Sequence, residues 1–512
     1  MPKILLGGVF ILFLLLSSKS EKINLGIPLI VPSLLFIAIS LLGLVIKGEF
    51  VFLKQNFLCL VGALFVFNYF SGIDTGADRK KIVRKILVLS LLIVSLFGIL
   101  QHFGFGLFEK FAGTPLPYSS LGHRNYLSDY IILLLPFLFL GIEEKRLGYI
   151  FILLIALWAL LISKSFRAIP SLIVLLFVYT TMHKPDIKLK KIYRILLAVF
   201  IFSTFIFLHL SREKIIEENL APRLFRWSVS LDIYKDYPIL GAGLGRFSYM
   251  YPEYQSRFLK TPKGEKFKKL AASPERANNE YIHFLAETGL LGFISLILLL
   301  SSVFMGLRKS PTDNFSRAAA ASLAGIAVSA FFGYPFHRPE IILTLILICG
   351  LAIDCSKCRR IKITLSKFTR VLLSLFLFFY LLGVSLSQIL HERAIRFFNN
   401  GKYLSALETV SPAILLSPIP GELLFFKGRA EYRLGLFNEA IESYTSALAT
   451  YNNSALYYNR GLAYMLRGDM ELAKSDFKKT LSILPKHSRS KEALEFMQDI
   501  SYENMLEESA SG

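Results

Sequence analysis

Apolar runs about as long as a bilayer is thick recur along this chain, and they limit its fold more than any other feature. They fall at 4–18, 27–46, 53–72, 86–103, 126–143, 147–163, 168–182, 193–210, 282–306, 317–334, 338–354 and 368–389. A helix needs ~20 mostly apolar residues to cross the hydrocarbon core, where every backbone amide must be satisfied within the segment itself. The pattern predicts an all-α, polytopic membrane protein with about 12 transmembrane helices. Of the 512 residues, 54% are hydrophobic and 19% charged, which is too much apolar surface for a water-soluble core. Disordered, collagen-like and disulfide-framework classes are thereby excluded. The first run, led by Lys3, resembles a signal peptide, but Ser17-Ser18-Lys19-Ser20 follows it instead of a small-x-small cleavage site. It reads as a retained anchor.

The formal net charge of +21 would suggest nucleic acid in a soluble protein. Here the cations collect in loops between runs: Arg79, Lys80, Lys81, Arg84 and Lys85; Lys184, Lys188, Lys190, Lys191 and Arg194; Arg308, Lys309 and Arg317; Lys357, Arg359, Arg360, Lys362 and Lys367. An even number of runs separates each group from the next, so all four lie on one side. The positive-inside rule makes that side the cytoplasm, and no nucleic-acid partner is expected. The long segment 211–281, the loops near 104–125, 164–167 and 333–339, and everything after 389 then lie outside. Twelve runs would also put the N-terminus outside despite Lys3, and the side of the N-terminus stays open. Cys355 and Cys358 form a lone C-x-x-C without the second pair a zinc site needs, so no metal and no cofactor is expected.

After Gln388 the composition changes. Gly401, Tyr403 and Ala406 recur as Gly435, Phe437 and Ala440, and again as Gly468, Met470 and Ala473. The last two copies also match Gly428 and Ala430 with Gly461 and Ala463, and Tyr444 with Phe477; Pro485 closes the last full repeat. A spacing of 33–34 residues with small residues at helix contacts and aromatics between them resembles the tetratricopeptide repeat. Residues 390–500 are expected to form this helical repeat domain, packed on the membrane domain or on a protein partner, and 501–512 a disordered tail. Its chemistry is binding.

The segment 211–281 is long for a connection and is not low-complexity. Gly241, Gly243 and Gly245 form G-x-G-x-G without the strand–helix unit a nucleotide site requires, and are expected to shape a tight turn. Lys260, Lys263, Lys266, Lys268 and Lys269 read as a solvated basic face, with membrane lipid headgroups as the alternative contact. The run from Arg276 through Asn278, Asn279, His283 and Glu287 to Gly289 and Gly292 leads straight into a span.

At this point the chain resembles the O-antigen ligase and O-antigen polymerase-like proteins, over nearly all of 1–389. Asn279, nine residues, Gly289 and Gly292 fit the family spacing. Arg223 and Trp227 ahead of Pro238, Gly241 and Gly243 match a second element; Gly122 with Asn125, Ser163 with Arg167, and the loop Tyr334–Pro339 look like three more. The resemblance implies a GT-C-like fold in the inner (cytoplasmic) membrane with a large periplasmic loop. It implies transfer of a glycan from an undecaprenyl-diphosphate carrier to an acceptor hydroxyl on lipid or protein, as in lipopolysaccharide biosynthesis. The alternatives are the related lipid-linked glycan polymerase and an inactive assembly scaffold.

One departure matters. The histidine the family assigns to the acceptor falls at Asn278, whose amide does not titrate usefully. Asn278 only orients the acceptor, or His337, His283 or Glu287 takes the proton, or transfer has been lost. The resemblance assigns arginines to the diphosphate, and a guanidinium fork suits that group; the candidates are Arg167, Arg223, Arg226 and Arg276. Asn125 and Asn279 join the three glycines as loop-shaping residues, and His123 is a further candidate.

Overall fold

The computed structural model describes residues 22–48, 52, 77–105, 119–144, 147–182, 220–309, 313–353, 360–364 and 367–511. The runs 4–18, 53–72 and 193–210, the basic loop 184–194 and the Cys355/Cys358 pair lie outside them. Strand β1 (Lys22–Gly26) leads into α1 (Ile27–Ile46), followed by α2 (Ala77–His102), α3 (Arg124–Glu143), α4 (Leu147–Ile162) and α5 (Ala168–Met182). The segment 220–279 carries α6 (Ala221–Asp236) and α7 (Phe247–Leu259). Then come α8 (Glu280–Arg308), α9 (Asn314–Ser329), α10 (Pro339–Ala352) and β2 (Arg360–Thr364). The remainder is α11 (Lys367–Asn399), α12 (Tyr403–Leu416), α13 (Gly421–Arg433), α14 (Phe437–Ala447), α15 (Ser454–Arg467), α16 (Met470–Ile483) and α17 (Ser488–Ser511).

The architecture is helical, as expected, with one small addition: β1 and β2 pair antiparallel as a two-stranded ribbon, Lys22 opposite Thr364. Residues 501–511 continue the helix α17, where a disordered tail was expected. Among the described residues, Asp78–His102, Arg124–Glu143 and Glu280–Arg308 are long and apolar enough to cross a membrane. Leu147–Ile162, Ala168–Met182 and Pro339–Ala352 are apolar but shorter. At 1.5 Å per residue, a 16-residue helix reaches only ~24 Å, short of the ~30 Å core.

Helix α3 is the hub. Leu127, Ile131 to Leu135, Phe137 and Leu138 are all buried, between α2, α4, α5 and α9. Ala318 to Ala321 and Gly325 let α9 come close; a Cβ on Gly325 would sit 2.9 Å from Ile132 and 3.3 Å from Leu175. Ile82, Ile86, Leu89 and Ile93 on α2, and Leu290, Leu291, Ile294 and Leu298 on α8, stay exposed in apolar stripes, the pattern of lipid-facing helices.

The two ends of this body differ. At one end Lys80 pairs with Asp313, and Arg84 lies 2.7 Å from Glu144. The ribbon puts residues 22–26 beside the basic segment 360–364, and α1 then runs to the opposite end, where Lys47 Nζ donates to the Gly241 carbonyl at 2.6 Å. That opposite end carries the turns 163–167 and 331–338 and the outer segment 220–279.

Helix α11 passes without a break from the membrane body into the repeats. The repeat glycines Gly401, Gly435 and Gly468 all have positive φ. A Cβ on Gly428 would lie 2.7 Å from the Tyr444 ring, and one on Gly461 2.9 Å from the Phe477 ring. These are the small–aromatic pairs read from the periodicity. The tail packs on α7: Gln255 Nε2 donates to Ile483 O at 2.8 Å, Asn452 Nδ2 to Tyr249 O at 3.0 Å, and Lys479 pairs with Glu253.

Candidate functional site

Helix α8 is broken at Gly289, where φ is 64° and ψ −168°. The break frees the carbonyls of Ala286 and Glu287 and the amides of Leu290 and Leu291 from the helical ladder. The turn 238–243 takes up all four. Ala242 and Gly243 donate to Ala286 O and Glu287 O at 2.8 Å each, while Leu290 and Leu291 donate to Pro238 O and Ile239 O at 2.8 and 3.2 Å. A buried helix break needs such partners. Gly241, Gly243 and Gly245, with φ of 69°, 112° and 80°, build the turn that supplies them.

The N-terminal half of α8, held by this interlock, carries Glu280, His283 and Glu287. Asn279 caps it, its Oδ1 accepting from the amides of Tyr281 and Ile282 at 3.0 and 3.1 Å. Asn278, just before, holds a left-handed backbone, φ 57°. Glu280 is fully buried; its carboxylate accepts from the Phe336 amide at 2.8 Å and meets His337 Nδ1 at 2.8 Å. His283 and Glu287, one turn apart and both buried, approach to 3.5 Å. Glu287 also accepts from the Phe247 amide at 3.0 Å. The His283 and His337 rings meet edge to face, centroids 5.0 Å apart. Burial opposes charge on His337, but the Glu280 carboxylate and its hydrogen bond prevail, and the imidazole sits above its ordinary range.

His337, His283, Glu287 and Arg276 line one cavity of about 610 Å³, and His337 keeps 25% of its side chain exposed. Asn278 does not line it.

The arginines gather beside this set. Arg167 is consumed by a buried ion pair with Asp129 at 2.8 Å, the two side chains 3% and 2% exposed. Gly333 is needed for it, since a Cβ there would lie 1.6 Å from Arg167 Nη1. Arg223 donates to the Phe332 carbonyl. Burial, then repulsion from Arg167 and Arg226, lowers its pKa to about 10. Tyr334 lies among them, with the Arg276 and Arg338 guanidinium carbons 4.9 and 4.7 Å from its ring and its hydroxyl 2.8 Å from that of Tyr126. His123 is forced down to about 4 by burial, then by Arg167, Arg124 and Arg338. Its Nδ1 accepts from the Asn125 amide at 3.0 Å, and Asn125 Oδ1 accepts from Ser165 at 2.9 Å, tying α3 to the Arg167 turn.

Sequence reasoning missed Glu280, Asp129, Arg338 and Tyr126. Glu280 and Asp129 carried a signal, being carboxylates beside or inside an apolar run, where an unpaired charge is costly. Among the described residues, no cluster of metal-binding side chains is found.

The O-antigen ligase family model matches residues 131–297, and a tetratricopeptide repeat model matches 391–455 and 427–486. No curated protein matches the chain. Two solved structures match part of the chain: the first TPR of Spaghetti (RPAP3) bound to an HSP90 peptide, and the first TPR domain of human RPAP3. They share 23% and 25% identity, each over 23% of this chain and 95% and 96% of their own, with TM-scores of 0.23 and 0.22. The matched 131–297 holds Arg167, Arg223 and the whole Arg276–Gly292 element. A stretch similar to the O-antigen ligase family model is thus followed, toward the C-terminus, by a stretch similar to tetratricopeptide repeats.

Proposed function

We propose that this protein transfers a glycan from an undecaprenyl-diphosphate carrier to an acceptor hydroxyl, on the periplasmic face of the inner membrane. The observation that carries the reading is the placement of a carboxylate-backed imidazole, Glu280–His337, beside an arginine cluster at the end of the helical body opposite its basic loops. His337 Nδ1–H donates to Glu280, which leaves Nε2 for the acceptor hydroxyl. The acceptor oxygen bonds to the anomeric carbon as the bond from that carbon to the diphosphate oxygen breaks. The hydroxyl proton passes to His337, and the electron pair leaves with the polyprenyl diphosphate. Glu280 stabilises the imidazolium so formed, a role Asn278 cannot fill. Arg223, Arg226, Arg276 and Arg338 supply positive charge where the leaving group gains negative charge. Arg167, held by Asp129, positions the turn around them. An apolar cavity of about 230 Å³, lined by Phe36, Phe284, Leu296, Phe336 and Leu345, lies against the same helix and suits an isoprenoid segment.

The test is a reconstituted transfer assay that reads release of undecaprenyl diphosphate from a lipid-linked glycan pool with candidate acceptors. Release that falls at least 100-fold in His337→Gln and in Arg223→Ala, with both variants folded, supports the reading. Release unaffected by either substitution removes the roles of His337 as base and Arg223 as diphosphate ligand. No release from any such donor by the parent sinks the transferase reading.

A further inference from the structure

The repeat tail does more than hang beside the membrane body. It closes the cavity over the imidazole pair. The floor is His283, Glu287, His337 and Arg276; the roof comes from the tail and the helix leading into it, through Gln388, His391, Glu422, Tyr451 and Asn452. The roof is anchored by the contacts of Asn452 with Tyr249 and Gln255 with Ile483.

We infer that this chamber between the outer segment and the repeats binds the acceptor, and that the acceptor end it takes is a hydroxyl-rich saccharide; this rests on the transferase reading above. Its volume of about 610 Å³ suits a short oligosaccharide, within the ~300–1,000 Å³ usual for small-molecule sites. Two buried polar atoms of lining residues, Asn452 Oδ1 on the roof and His283 Nδ1 on the floor, have no hydrogen-bond partner. Each marks unspent hydrogen-bonding capacity in the chamber wall, since a buried polar atom left unpartnered is costly. The side-chain amides of Gln388 and Asn452 carry both donors and acceptors, and Ser387 Oγ, which donates to Ala413 O at 2.7 Å, keeps acceptor capacity, matching neighbouring sugar hydroxyls. Tyr249 and Tyr451 add aromatic surface to the lining. The repeats therefore act as the specificity wall of the enzyme.

The experiment titrates the full chain in nanodiscs with a panel of neutral and N-acetylated trisaccharides, read by calorimetry and saturation-transfer NMR. Serine-containing peptides of similar size form the second arm. Parent, Gln388→Ala, Glu422→Gln and Asn452→Ala are compared; the first two leave the Asn452–Tyr249 and Gln255–Ile483 anchors intact should Asn452→Ala loosen the tail. At least one trisaccharide should bind the parent, and each variant should weaken it about 10-fold. No trisaccharide binding, affinity indifferent to all three variants, or binding by the peptides alone overturns the inference. These readouts need no turnover. Roof-dependent binding without polyprenyl diphosphate release would leave the saccharide site standing and remove the transferase reading. Release with roof-independent binding would do the reverse.

Discussion

Gly241 and Gly289 meet backbone to backbone, and neither tolerates a side chain. A Cβ on Gly241 would fall 2.2 Å from the Glu287 carbonyl carbon, and one on Gly289 2.3 Å from Ile239 O. The contact lets the outer turn satisfy the backbone groups that the helix break sets free, and it aims the Glu280–Glu287 half-helix at the cavity.

Gly289→Ala should therefore cost stability on two counts, a backbone conformation reserved for glycine and a clash with a fixed carbonyl. Strain of this kind is worth ~1–3 kcal/mol before the clash is added. Thermal melting in detergent should show a lowered midpoint, and transfer should fall with it. An unchanged melt would mean that the interlock is not rigid.

The pH dependence has a definite sign. His337 acts as base only when neutral, and its pKa is raised above 6.5, so the acid limb of the transfer rate should lie above 6.5. Glu280→Gln removes the raising carboxylate, so the limb should move to lower pH while the maximal rate drops ~100-fold. For folding, a raised pKa means that the pair's stabilisation is fully present below the unfolded histidine value. It is lost as pH rises through the folded one. A limb that stays in place in Glu280→Gln would remove His337 from the role of base.

Arg167 and Arg223 should fail differently. Arg167→Ala leaves Asp129 buried and unpaired, an expected cost of ~3–5 kcal/mol. Asp129→Asn combined with Arg167→Gln should recover much of that stability. Arg223→Ala should melt near the parent and lose transfer. Equal destabilisation by both single variants would contradict the separation, and urea or thermal unfolding of the four proteins decides it.

Asn278 separates backbone geometry from chemistry. Asparagine is among the non-glycine residues that best tolerate positive φ, so Asn278, at φ 57°, meets a backbone requirement whether or not its amide touches a ligand. Asn278→Gly should keep transfer within about 3-fold, and Asn278→Val should lose both stability and transfer. Loss of transfer in a well-folded Asn278→Gly would show that the amide touches the acceptor.

Much was legible because it is local. Apolar run length marked the helices that cross the body, and the recurrence of Gly401, Gly435 and Gly468 marked the repeats, since each ends a helix in the left-handed conformation. Arg223, Gly241, Asn279 and Gly289 stood out through the resemblance to the O-antigen ligase-like proteins. Their partners did not. Glu280 and His337 are 57 residues apart, Arg167 and Asp129 38, and nothing in either neighbourhood announces the pairing.

The sequence by itself determined the material: helices of set length and polarity, cations on loops, glycines where only positive φ will do. Such properties follow from periodicity and the conformational limits of single residues. Only the tertiary structure decided which imidazole gains a carboxylate, which arginine is already neutralised, and that the repeats roof the cavity. Burial sets the strength of a charge interaction, and burial is a property of the packed whole, so a side chain's chemistry stays open until its distant neighbours are in place.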